Sequence, residues 1–196
     1  MKKLIYLCCI SIGVFTFQSC NNHDHKDAKD TADSLNKTKD TSSNTAKTGG
    51  IAVNNDDAKF ATDAVNNGMA EVELGKLALT RAHGERVRGF AKMMIEDHEK
   101  TDAELRRMAK AKNISLPDAV DADSRKTLGD LEKKRGSKFD KAYADALIDG
   151  HKKTLDLMNK EAKDGRDPDL KAFAAKTAPI VQMHLNAIKK IDDRIK

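Results

Sequence analysis

Residues 168–195, which read PDLKAFAAKTAPIVQMHLNAIKKIDDRI, decide the fold class. Apolar or small side chains recur there every three or four residues, which is the spacing of one helix face. Pro168 suits the first turn of a helix, because the backbone N–H that proline lacks would be unpaired there in any case. The segment therefore predicts one long helix with an apolar stripe. The stripe consists of Leu170, Phe173, Ala174, Thr177, Ile180, Val181, His184, Ala187, Ile188 and Ile191.

The same periodicity predicts three further long helices and one short helix. The long segments cover about residues 56–82, 85–112 and 138–163, and the short one covers about 119–134. Each long segment has a single apolar stripe, and four such helices can bury their stripes against one another. We therefore predict an all-α domain, a four-helix bundle, over residues 56–196.

The composition agrees with a helical domain and excludes several classes of protein. The 196 residues include three prolines and eleven glycines, which are few for a loop-rich β-fold. There are 36 lysines and arginines against 31 acidic residues, and the two signs are interspersed. This small positive surplus is not the concentrated basic surface of a nucleic-acid-binding protein. No nucleic-acid partner is therefore expected.

The N-terminus, MKKLIYLCCISIGVFTFQSC over residues 1–20, has the form of a targeting signal. Two lysines precede an apolar stretch, Leu4–Phe17, that is shorter than the roughly 20 residues needed to span a membrane. Ser19 is a small residue directly before Cys20, so the pattern resembles a bacterial lipoprotein signal of residues 1–19 with lipid attached to Cys20. A secretory signal cut nearby and an uncleaved anchor are the alternatives.

Lipid on Cys20 would place the mature protein in the cell envelope. We expect it to face the periplasm from the outer membrane, with the membrane as its partner and its protein partners unknown. Cys8 and Cys9 would leave with the signal, so the mature chain would have no free thiol. Cysteine nucleophiles and thiolate metal sites are therefore excluded.

Residues 20–55 are predicted to be a disordered tether that follows the lipidated cysteine. The segment consists mainly of Asn, Asp, Lys, Thr and Ser, with few large apolar side chains. Such a composition buries too little surface to offset the entropy lost on ordering. His23 and His25 lie in this segment and are interpreted as solvated residues.

The unusual feature of the long helices is one ligand-capable residue near the middle of each apolar stripe. These residues are Glu71, His98, His151 and His184. The middles of packed helices lie at the same height along the bundle axis, whether neighbouring helices run parallel or antiparallel. The four side chains should therefore share one layer, within about one turn of 5.4 Å. Imidazole and carboxylate groups bind zinc, copper, iron and manganese, so the pattern predicts a site for one transition metal. The carboxylates placed to support such a layer are Asp97, Asp145, Asp149 and Glu73.

A second interpretation of the layer needs no metal. A buried Glu–His network can be purely structural when its members satisfy one another's hydrogen bonds. The domain would then be a structural or protein-interaction module of the envelope. Methionines such as Met94 and Met158 are interpreted as core residues, because methionine commonly fills gaps in apolar cores.

Several motifs resemble one family of bacterial proteins. They are EVELGKLA from Glu71, FAKMM from Phe90, Asp97-His98, ISLP from Ile114, Phe139 with Tyr143, His151, and His184-Leu185. Over about residues 56–192 the chain is similar to a domain-of-unknown-function family of ferritin-like bundles in envelope proteins, often labelled outer-membrane proteins. The resemblance implies a ferritin-like four-helix bundle in which residues 114–136, with a short helix, form a crossover between helices 2 and 3. It implies no established activity.

The sequence contains no clear catalytic motif. Ferritin-like di-iron enzymes use a Glu-x-x-His pair on two helices, but here Ile95 and Val181 stand three residues before His98 and His184. A metal-dependent oxidase is therefore a minor alternative. The chain also lacks a Gly-rich phosphate loop and a serine elbow. We predict a non-enzymatic envelope protein that binds one transition metal in metal handling or stress.

Overall fold

The computed structural model describes residues 27–39 and 53–195, and within these residues it contains six helices and no strands. The helices are α1 (Ala28–Lys39), α2 (Asn55–Arg81), α3 (Glu85–Ala111), α4 (Ala122–Glu132), α5 (Ser137–Asp164) and α6 (Pro168–Asp192). The prediction of an all-α fold is confirmed, and α2 to α6 begin and end within a few residues of their predicted positions. Among the described helices, none combines the length and apolar character needed to cross a bilayer. The signal segment, Cys20, His23 and His25 lie outside the described residues.

Side-chain caps fix where three of the helices begin. Asn54 accepts two backbone N–H groups at the start of α2, and Asp121 accepts one at the start of α4. Asp167 accepts two at the start of α6. These caps pair donors that the first turn of a helix leaves without a partner. Helix α5 instead begins after Gly136, whose positive φ of 57° favours glycine.

The four long helices form a helical bundle from two close pairs, α2 with α3 and α5 with α6. The pairs associate through contacts of α2 with α5 and of α3 with α6. Each long helix therefore has two long neighbours and can bury its apolar stripe between them. The short helix α4 packs against α2 and α5.

The core of the bundle consists of two apolar clusters, each with residues from all four long helices. The Phe60 cluster includes Phe60 and Phe173, whose ring centroids are 6.4 Å apart. The Phe139 cluster includes Phe139 and Tyr143, which stack with centroids 6.1 Å apart. On every long helix, the residues of one cluster precede the central polar residue and those of the other follow it. The polar layer therefore separates the two clusters.

Helix α1 occupies part of the segment for which the sequence predicts a disordered tether, and that prediction is wrong over Ala28–Lys39. The helix packs against α2, where Lys29 contacts Asp63 at 2.7 Å. The buried Asn36 donates to the Ser115 carbonyl at 2.9 Å and accepts the Ser115 N–H at 2.7 Å. The composition misleads because polar pairs with the bundle hold this helix, in which Ala32 is the one buried apolar side chain.

Candidate metal centre

The four residues predicted for the central layer lie together in the bundle, one from each long helix. Their exposed fractions are 3% for Glu71 on α2, 8% for His98 on α3, 0% for His151 on α5 and 1% for His184 on α6. Polar groups of this kind are rarely buried unless they have partners. Their contacts therefore decide what the layer can do.

The three histidines form a compact cluster. One ring nitrogen from each of His98, His151 and His184 lies within 4.8 Å of the other two. The ring centroids are 5.5, 5.7 and 5.9 Å apart. Zinc binds imidazole nitrogen at about 2.0–2.1 Å, so an ion at the centre requires each ring to move by less than about 1 Å. The cluster can therefore hold one metal ion.

The hydrogen bonds of His151 and His184 leave one nitrogen of each ring free. His151 Nδ1 donates to the Leu147 carbonyl at 2.8 Å, and His184 Nε2 donates to Asp97 Oδ2 at 2.9 Å. The other nitrogens, His151 Nε2 and His184 Nδ1, are buried and have no hydrogen-bond partner in the described part of the chain. In a neutral imidazole such an atom carries a lone pair, and a buried polar atom without a partner is unfavourable. A bound metal would satisfy both lone pairs.

Glu71 contacts the histidine cluster but is not a member of it. Its Oε2 lies 2.9 Å from His98 Nε2, and its Oε1 lies 3.4 Å from His151 Nδ1. The second contact is with the nitrogen that His151 already uses for the Leu147 carbonyl. Neither Glu71 oxygen nor His98 Nε2 has a hydrogen-bond partner within the described residues, so Glu71 stays a predicted ligand beside the cluster. The same height on four helices predicts that the four side chains are close together. It does not determine which of their atoms contact one another.

The four residues of the layer differ in protonation, because their pKa values are shifted in different directions. Burial would raise the pKa of Glu71, but the facing histidines, His98 first, hold it below its ordinary value. Burial would lower the pKa of His98, but the Glu71 carboxylate raises it above its ordinary value. Burial lowers the pKa of His151 and of His184, despite the carboxylates of Glu71 and Asp97. His151 and His184 are therefore neutral near pH 7, which is the form of imidazole that binds metals.

Among the four carboxylates that the sequence offers as support for the layer, Asp97 is the one that contacts it. Each of the other three contacts a lysine on its own helix; they are Asp145, Asp149 and Glu73. The sequence could not separate the four, because all of them lie beside an apolar stripe. The Leu147 carbonyl, which holds His151, was missed because every residue carries such a group and no sequence pattern marks it.

The chain belongs to a family whose function is not assigned. Residues 40–191 match the family described as Domain of unknown function (DUF4142). The predicted membership of a domain-of-unknown-function family is therefore confirmed, and helix α1 precedes the matched residues. Among curated proteins, none matches the chain.

Two kinds of solved structure are similar to this fold. The crystal structure of a DUF305 fragment from Deinococcus radiodurans has a TM-score of 0.64 at 9% identity, over 72% of this chain and 98% of that one. CopM in the Cu(II)-bound form has a TM-score of 0.61 at 13% identity, over 70% of this chain and 96% of that one. CopM in the Ag-bound form has a TM-score of 0.58 at 15% identity, with the same coverage. Identities this low establish a shared helical fold alone.

Proposed function

We propose that this protein binds one transition-metal ion through His98, His151 and His184, as a non-enzymatic protein of the bacterial cell envelope. The proposal is carried by two buried imidazole nitrogens without a partner in the described residues, His151 Nε2 and His184 Nδ1. Both rings belong to one cluster with His98. A purely structural network would be expected to pair these atoms. We infer a role in envelope metal handling or in the response to metal stress.

Copper(II) and zinc fit the three histidines better than the other predicted metals. Neutral imidazoles suit zinc, copper and iron, whereas manganese prefers oxygen ligands. Affinity for a given nitrogen site rises along the divalent series to a maximum at copper. One structural neighbour is described as CopM in the Cu(II)-bound form. We therefore place copper(II) first and zinc second.

We further propose that lipid on Cys20 holds the mature chain at the outer membrane, facing the periplasm. The support is the N-terminal sequence, in which a short apolar stretch ends at Ser19-Cys20. Because α1 begins at Ala28, the chain between Cys20 and this helix would reach at most about 28 Å when fully extended. The lipid would therefore hold the helical domain near the membrane surface.

We also infer that the bundle has the ferritin-like topology. Residues that follow His98 on α3 and His151 on α5 belong to the Phe60 cluster, which supports a parallel arrangement of α3 and α5. Two parallel helices need a connection that passes from one end of the bundle to the other. The segment that contains α4 would then be the predicted crossover.

Metal analysis of the full chain tests the binding proposal. After loading with Cu(II) or Zn(II) and removal of excess ion, we expect about one ion per wild-type chain. His184→Ala should lose most of this metal, because it removes one of three ligands. His83→Ala is the control, since His83 is exposed and lies outside the cluster. Wild-type protein without metal, or equal loss in both variants, would contradict the proposal.

A structural role for the polar layer is the second candidate function. It is favoured by the 2.9 Å contact between Glu71 Oε2 and His98 Nε2 in the interior, because a buried carboxylate and imidazole in such contact attract one another without a metal. Thermal unfolding with and without Zn(II) separates the two roles. Metal binding predicts a higher unfolding temperature with Zn(II), since an ion that binds the folded chain stabilises it. The structural role predicts no change.

A further inference from the structure

A cavity of about 30 Å³ lies next to the histidine cluster, on the side of the Phe60 cluster. His98 and His184 line it together with Leu105 and Met158, which are members of the Phe60 cluster. This volume gives room for about one or two water molecules. The space is therefore too small for a substrate of ordinary size, but it is large enough for a small ligand.

Short side chains keep this cavity open. Gly68 on α2 lines it, and a Cβ at this position would lie 3.9 Å from His98 Nδ1. Threonines from α3, α5 and α6 complete this part of the lining, namely Thr101, Thr154 and Thr177. A longer side chain at Gly68 or Thr177 would therefore fill space beside the histidine cluster.

The cavity adjoins two of the three rings that would hold the metal. His98 lines the cavity and has its Nδ1 near Gly68, and its buried Nε2, which lies 2.9 Å from Glu71 Oε2, has no hydrogen-bond partner within the described residues. His184 donates to Asp97 through Nε2, and its buried Nδ1 has no partner within the described residues. Because both rings line the cavity, an ion bound by them would have the cavity beside it.

We propose that a metal held by the three histidines keeps one open coordination position, directed into this cavity, for a small exogenous ligand. The inference rests on the proposed function, because the metal has to bind first. Structural metal sites are usually closed by four protein ligands, whereas three protein ligands and a free position allow small ligands to exchange. The cavity volume limits the ligand to water, hydroxide, a diatomic molecule or a small anion such as azide.

Azide titration of the cobalt-loaded full chain tests this inference. Cobalt(II) is added first and its stoichiometry is measured, and the visible absorption of the bound ion is then followed as azide is added. We expect a saturable spectral change in the wild type. Gly68→Ala and Thr177→Ile should retain cobalt but bind azide at least tenfold more weakly, because the first adds a methyl group to the cavity and the second replaces a hydroxyl with the larger ethyl group.

Gly150→Ala is the matched control. It also adds a methyl group to a long helix, but its Cβ would lie 3.5 Å from Glu71 Oε1 and Gly150 does not line this cavity. Azide binding should therefore be unchanged in this variant. Bound cobalt without any response to azide would overturn the inference and leave metal binding intact. If both cavity variants lost cobalt itself, the ion would lie in the cavity, and this result would also overturn the inference. A wild-type chain that binds no cobalt would overturn both proposals.

Discussion

At the scale of single residues, His184 shows how the fold orients a side chain of the proposed metal site. Its Nε2 proton is donated to Asp97, which fixes the ring and leaves the lone pair on the buried Nδ1. The Leu147 carbonyl does the same for His151. Such partners of metal-binding imidazoles orient the ring and increase its basicity. Two of the three proposed ligands are therefore oriented by the folded chain itself.

Replacement of Asp97 should weaken metal binding without removing a ligand. In Asp97→Ala, His184 can rotate and change the nitrogen that carries its proton, so we expect an affinity about 10- to 100-fold lower. Competition with a chelator of known affinity measures the change. Asp149→Ala is the control, because Asp149 is a surface carboxylate that contacts Lys152. Equal affinities of Asp97→Ala and wild type would contradict this role of Asp97.

Glu161 should make the stability of the domain depend on pH. Its side chain is buried, and burial, together with the carboxylates of Asp57 and Asp167, raises its pKa from 4.5 to about 7. The folded chain therefore favours the protonated acid. The stability that this provides is fully present below pH 4.5 and is lost as the pH rises through about 7.

Glu161→Gln keeps a neutral side chain at every pH and should remove this dependence. Between pH 5 and pH 8, we expect the free energy of unfolding of the wild type to fall by about 1–2 kcal/mol more than that of the variant. Each unit of pKa difference between the folded and unfolded chain is worth about 1.4 kcal/mol, and solvent screens part of this effect. Urea unfolding at both pH values measures the difference. Glu99→Gln, at an exposed position, is the control. Parallel profiles for wild type and Glu161→Gln would show that Glu161 is not the group responsible.

At the scale of elements, α1 is a polar helix that depends on the rest of the molecule. Its contacts reach α2 through Lys29 and the segment after α3 through Asn36. Lys39 also donates to Ser115 Oγ at 2.8 Å. An isolated helix of this length is marginal in water, so these contacts with the bundle are what hold it.

Asn36→Ala should therefore loosen α1. The substitution removes both hydrogen bonds between Asn36 and Ser115, so the backbone N–H and carbonyl of Ser115 lose these partners. We expect a loss of about 1–3 kcal/mol, measured by urea unfolding, and faster amide hydrogen exchange within α1. Asn186→Ala is the control, because Asn186 is exposed and contacts Gln182 on its own helix. Unchanged exchange in α1 would contradict the assigned role of Asn36.

The sequence predicts the long helices well and α1 not at all, for one physical reason. Helices α2, α3, α5 and α6 bury apolar stripes that repeat at helical spacing, and this signal is local. Helix α1 is held by residues that are distant in the chain, such as Asp63 and Ser115, so its own segment contains no sign of them. The same limit applies to the site. The shared height of the histidines in the bundle follows from their mid-helix positions. The role of Glu71 depends on which of its atoms contact the histidines, and the sequence does not determine these contacts.

At the scale of the whole molecule, the polar layer joins the two helix pairs. The pair α2–α3 supplies Glu71 and His98, and the pair α5–α6 supplies His151 and His184. Apolar clusters lie on both sides of the layer, so the bundle does not depend on a metal for its core. An ion bound by the three histidines would link the pairs, and its binding free energy would add to the stability of the bundle.

X-ray absorption spectroscopy of the zinc-loaded protein tests the central claim most directly, because it counts the imidazoles bound to the ion. We predict three imidazole nitrogens at about 2.0–2.1 Å in the wild type, and two after His184→Ala in whatever metal that variant retains. A first shell of oxygen atoms without imidazole would contradict the claim that His98, His151 and His184 hold the metal. An imidazole count unchanged by His184→Ala would contradict it equally.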